Sequence, residues 1–200
     1  MESEGLPTST SPRVPARVNG RGPRFAPPLV VLAVLGFVVF GGFLTADALS
    51  SPSGPAISVA GVVRVSPLSG WELAGRFQSP PGARLTRGSD SLDFIVSPIP
   101  GDADAQARWY VREFLEQEAV PGRLSVSRSF QSFRLPSGLA AVRFSYVGLF
   151  GKGQTAVEGQ VTSVVSGAGI GVLFDGWAPQ GFLQYSLGDI DTMIDSAEFS

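Results

Sequence analysis

The longest unbroken apolar pattern in the chain runs from Ala26 to Ala46, where no side chain is charged. At about 1.5 Å per residue this stretch makes a helix of roughly 31 Å, the thickness of a bilayer's hydrocarbon core. Backbone polar groups inside lipid must pair within the segment, so a helix is the only form open to a single span. Pro27 and Pro28 fall in its first turn, where a missing N–H costs little. The pattern predicts a transmembrane helix over 26–47. A cleaved leader is the alternative, because Ala46-Asp47-Ala48 has the small-x-small form that signal peptidases accept. Against it, the apolar stretch is longer than a leader's core, and the tail before it is long.

Beyond the span the period changes with position. Residues 48–57 read as a short tether rich in Ser, Pro and Gly, and residues 58–200 as one extracytoplasmic domain. "ISVAGVVRVSP" (57–67) reads as a β-branched strand stopped by Pro67, and strands follow at 83–87 and 91–97 around Gly88-Ser89-Asp90. A helical period then takes over. Asp102 or Asp104 can cap the helix, and Ala107, Val111, Phe114 and Leu115 form its stripe with Tyr110 beside it. Arg112 and Glu116 stand at i,i+4 on its other side. From Leu124 the period returns to two. "LSVSRSF" is a strand, and three longer strands up to "IGVLFDGWAP" are joined by the Gly-rich turns "GKG" and "SGAG". Leu183, Leu187, Ile190, Ile194 and Ala197 close the chain at the spacing of an amphipathic helix. The order predicts an α+β fold, an antiparallel sheet covered by helices.

Charge adds orientation. Residues 1–25 are rich in Pro, Ser, Gly and Arg, and are expected to stay disordered. Their four arginines precede the span, so the positive-inside rule puts the N-terminus in the cytoplasm and the C-terminal domain outside. No basic patch with interleaved aromatics follows, which argues against nucleic acid as a partner.

Candidate chemistry is sparse. The chain has no Cys and no His, and its one Asn, Asn19, lies in the tail. Nucleophile–base triads and the common zinc sites therefore cannot be assembled. Asp189, Asp191 and Asp195 do not fit a calcium loop, since Met193 stands at its fifth position. "GKG" at 151–153 lacks the glycine and hydroxyl of a phosphate loop, and "GAGIG" at 167–171 opens a strand instead of a helix. No catalytic, cofactor-binding or metal residue is assigned. Trp71, Trp109 and Trp177 are the candidates for lining a binding groove, with packing at the core rim as the plainer role.

Three stretches carry a resemblance. "VRVSPLSGWELAG" (63–75) resembles the opening of PsbP/Mog1-like domains, where a strand gives way to a Pro-x-x-Gly-Trp turn. "FSYVGLFGKGQTAVEGQVTSVVSGAGIGVLFDGWAP" (144–179) is similar to their central meander, and "LGDIDTMIDSAEF" (187–199) to their closing helix. Actinobacterial cell-envelope proteins, small mycobacterial-type lipoproteins among them, use this fold. The resemblance implies an α/β/α sandwich and a non-enzymatic role in binding or assembly at the envelope. Those lipoproteins are held by a lipidated cysteine, which this chain lacks, so the span would take its place.

The expectation is a single-pass protein of the cell membrane whose outer domain is a binding or scaffold module for an envelope protein, peptide or lipid. Two alternatives stand beside it. One is a cell-envelope hydrolase working with carboxylates alone, and the other a small-lipid or peptide carrier released by cleavage near Ala48.

Overall fold

The structure is a computed structural model that describes residues 54–99 and 101–200. The expected tail at 1–25, the span at 26–47 and the first part of the tether lie outside the described residues. Among the described residues no helix is long and apolar enough to cross a membrane.

The strand expected at 57–67 divides in two. Ile57–Val59 (β1) and Val63–Val65 (β2) pair antiparallel across the loop Ala60-Gly61-Val62. Ala60 and Gly61 have positive φ, 51° and 68°, and the Val62 N–H closes the turn on the Val59 carbonyl at 3.0 Å. An alanine in that position gives the sequence no turn signal, so the hairpin reads as one strand. Glu72–Gln78 (β3), Pro81–Arg87 (β4) and Asp90–Val96 (β5) follow as an antiparallel run. β3 was not anticipated; it is a largely exposed edge strand without the apolar alternation that marks a half-buried one.

The helix begins where expected. Asp102 Oδ1 accepts the Ala105 N–H at 2.8 Å, and α1 runs over Ala103–Tyr110. It then widens into a π-helical turn, Val111–Leu115, before a last α-turn at Glu116–Glu118. The Glu116 N–H reaches back five residues to the Val111 carbonyl, which inserts one residue into the helical period. The expected Arg112–Glu116 pair accordingly does not form among the described residues. The pairs present are Arg108 with Asp104 at 2.7 Å and Gln117 with Glu113 at 3.2 Å.

Ala119–Val126 (β6) and Gln131–Arg134 (β7) lie along one edge of Ala140–Phe150 (β8). β8, Thr155–Val165 (β9) and Gly171–Pro179 (β10) form the expected meander. The terminal helix is shorter than its stripe suggests. Leu183–Tyr185 is a 3₁₀ turn, Leu187–Asp195 is α2, and Glu198–Phe199 (β11) pairs with the free edge of β2. Leu183, Ile190, Ile194 and Ala197 are nevertheless all buried in one core.

The main sheet has the order β3-β4-β5-β10-β9-β8-β6, with β7 beside β6 on β8. Strand alternation splits its side chains between two cores. On one face Phe94, Phe174 and Val172 pack under α2 and the small β1-β2-β11 sheet. On the other, Leu173, Val161 and Phe144 pack under α1. Each fully buried residue of this kind stabilises the fold by about 1.5–3 kcal/mol. The described residues thus form an α+β sandwich, a sheet with helices on both faces. The site lies on the α1 face.

Candidate functional site

Each of the two strands at the middle of the sheet carries an aspartate within an apolar run. In the run "SLDFIV" of β5 it is Asp93, and in "VLFDGW" of β10 it is Asp175. Register places them directly opposite one another, and places Arg84 of β4 opposite Asp93. The result is a row, Arg84–Asp93–Asp175, across three neighbouring strands on the α1 face. Like charges opposite one another in a sheet are destabilising, so the row needs neutralisation.

Asp93 obtains it from Arg84. The guanidinium grips it at both oxygens, Nε to Oδ1 at 2.6 Å and Nη2 to Oδ2 at 2.7 Å, the strong two-point geometry of an arginine–carboxylate pair. The Trp177 indole N–H also donates to Asp93 Oδ2, at 3.4 Å. Arg84 lies over the rings of Phe77 and Trp177, its guanidinium carbon 5.5 and 5.1 Å from their centroids. The hydrogen bond to Asp93 raises its pKa above the ordinary value, so it stays charged.

Asp175 is different. It is only 3% exposed and has no ion-pair partner among the described residues. Its hydrogen bonds come from two phenols, the Tyr110 hydroxyl at 2.8 Å and the Tyr146 hydroxyl at 3.1 Å from each carboxylate oxygen. Burial, followed by the neighbouring charge of Asp93, pushes its pKa from the usual 3.8 to about 7. The phenols and Arg84 act in the opposite direction without overcoming this. Burial pushes the pKa of both tyrosines well above the usual 10, so they remain protonated donors.

A cavity of about 440 Å³ opens over this row, within the range of small-molecule sites. Phe77, Phe114, Phe150 and Trp177 form its walls, Ser79, Pro80 and Glu118 its mouth, and the polar row with its two tyrosines its floor. Wall and floor alike depend on close approach to glycine backbone. A Cβ at Gly82 would stand 2.8 Å from the Phe77 ring, and one at Gly159 would stand 2.3 Å from that of Tyr146. In both cases the ring lies across its cross-strand partner. The π-helical turn belongs to the same construction. It places Phe114 and Leu115 in the cavity wall just after Tyr110 reaches down to Asp175, and π-turns occur frequently at functional sites.

The three tryptophans are not gathered together. Trp177 lines the cavity. Trp109, half-buried on α1, stands edge-on behind the wall residue Phe114, centroids 5.4 Å apart. Trp71 belongs to the core on the opposite face, where its indole N–H donates to Asp189 Oδ2 at 3.3 Å and Arg87 covers its ring. Sequence reasoning missed Arg84, Asp93, Tyr110, Tyr146 and Asp175. A signal for two of them was present, a charge within an apolar run. Among the described residues no group of three or more carboxylates could hold a metal ion.

No family model matches the chain, and no curated protein does. Solved structures do. The chain is similar to PsbP (CyanoP) of the cyanobacterium Synechocystis, with a TM-score of 0.52 and 16% identity over 75% of this chain and 94% of that one. The Ran-binding protein Mog1p of Saccharomyces cerevisiae gives a TM-score of 0.48 and 9% identity, over 74% of this chain and 96% of that one. LpqN of Mycobacterium tuberculosis, described as involved in cell envelope biogenesis, gives 0.47 and 13%, over 74% and 87%. At such identities the likeness is one of fold, and the described residues have the PsbP-like α+β fold.

Proposed function

We propose that residues 58–200 form a non-enzymatic binding module, held at the outer face of the cell membrane by a span at 26–47, and that the cavity over Asp175 is where it binds. The observation that carries this reading is a ligand-sized cavity with aromatic walls and, in its floor, a buried acid that has no ion-pair partner among the described residues. Apolar walls around a few placed polar groups are what a small-molecule site requires. The chain has no His or Cys to act as base or thiol nucleophile. The polar groups of the floor are engaged with one another, which suits recognition better than turnover. A tether keeps such a module concentrated against partners on the same surface.

The experiment is native mass spectrometry of the full chain extracted gently from its membranes. A small molecule is expected to dissociate from the wild type and to be missing from Val157→Trp, in which a bulky side chain fills the cavity. A wild-type mass equal to the bare chain contradicts the reading.

A second reading is favoured by one observation. Asp93, gripped by Arg84, stands opposite Asp175, whose pKa is raised to about 7, and a carboxyl tuned toward neutral pH beside a second carboxyl can serve in acid–base chemistry. Turnover of an envelope sugar polymer, abolished in Asp175→Asn, would favour the hydrolase.

A further inference from the structure

The cavity's charges are unequal. Three carboxylates, Asp93, Asp175 and Glu118, line it against the single guanidinium of Arg84. That guanidinium is already committed, gripped at two points by Asp93 and laid against Phe77 and Trp177. Among the described residues Asp175 is left with phenol donors and no cation. An anionic ligand would meet an excess of like charge in a site of low dielectric, where repulsion is strong. A neutral apolar ligand would leave the acid as it stands. A cation supplies the charge the floor lacks, and aromatic side chains other than those Arg84 covers line the same space, namely Phe114, Phe150 and the two tyrosines, with Tyr110 stacked on Phe114. Rings of this kind attract an organic cation through their quadrupole.

Building on the reading of this cavity as a ligand site, we infer that it takes a cationic amphiphile, an ammonium group carried on a short apolar body. The ammonium lies toward Asp175, and the body rests against the aromatic walls. The charged and titratable groups facing Asp175 are Tyr110 from α1, Tyr146 from β8, Asp93 from β5 and Arg84 from β4. The phenols remain protonated and Arg84 remains charged. Asp175 therefore governs the pH response. Affinity for the cation rises as Asp175 loses its proton, by about tenfold between pH 6 and pH 8 for a group that titrates near 7.

The test uses three probes with the same chain and different heads: hexylammonium, hexanol and hexanoate. Each is titrated into the full-length protein in phosphatidylcholine nanodiscs while the Trp177 indole N–H resonance is followed. The expected order at pH 8 is hexylammonium tightest by about tenfold, then hexanol, then hexanoate, with the ammonium's advantage lost at pH 6. Asp175→Asn should keep hexanol binding and lose both the preference and its pH dependence. Should that variant fail to fold, the pH 6 to pH 8 ratio in the wild type decides alone. Hexanol or hexanoate binding as tightly as hexylammonium at pH 8 overturns the cation assignment and leaves the cavity as a ligand site. Absence of binding by all three overturns the cavity reading and this inference with it.

Discussion

Asp175 shows how one residue can carry a liability for the fold. Between pH 3.8 and about 7 the folded chain holds a proton that the unfolded chain has released. The folded state's hold on that proton weakens as pH rises, so stability falls through this window and levels off above it. The loss is on the order of a few kcal/mol. Other carboxylates have their own slopes, so the useful quantity is a difference. The melting temperature of Asp175→Asn minus that of the wild type should grow from pH 5 to pH 8. Thermal melts across that range check it, and a constant difference contradicts it. Gly159 is the residue-scale counterpart in packing, since any Cβ there collides with the ring that Tyr146 lays toward Asp175.

At the scale of elements, α1 and its π-helical turn set the shape of the cavity. Asp102 starts the helix by accepting the Ala105 N–H, and replacing it with alanine should cost about 1 kcal/mol. Urea titration of Asp102→Ala against the wild type measures that loss; an unchanged midpoint would mean the cap contributes nothing. The elements also differ in how far the sequence reveals them. The β8–β9–β10 meander is legible because strict alternation and Gly-rich turns agree. The β1–β2 hairpin is hidden because Ala60 takes a backbone conformation that its side chain does not advertise. The π-turn is hidden because Phe114 and Leu115 fit an ordinary α-helical stripe equally well. β3 is hidden because an exposed edge strand has no apolar face to show.

At the scale of the molecule, the site depends on a pairing that no local pattern specifies. β5 and β10 are neighbours only because the sheet order brings the first hairpins against the end of the meander. The aspartates of "SLDFIV" and "VLFDGW" stand out in the sequence, yet their meeting depends on that order. Trp177 was visible as an aromatic near a strand end, while Tyr110 and Tyr146 read simply as members of apolar faces. Residues 26–47 raise a separate question of placement. With the span as a cytoplasm-to-outside anchor, a tag after Ser200 should be removed by protease added to intact spheroplasts. A tag degraded only after lysis would reverse the orientation.

The central claim is that the cavity between α1 and the Arg84–Asp93–Asp175 row exists to be filled. Its most direct measurement is a high-resolution crystal structure of protein purified from its own membranes without stripping. Continuous non-protein density is expected against Phe114 and Phe150, ending within hydrogen-bonding reach of Asp175. A cavity holding only scattered water would contradict it.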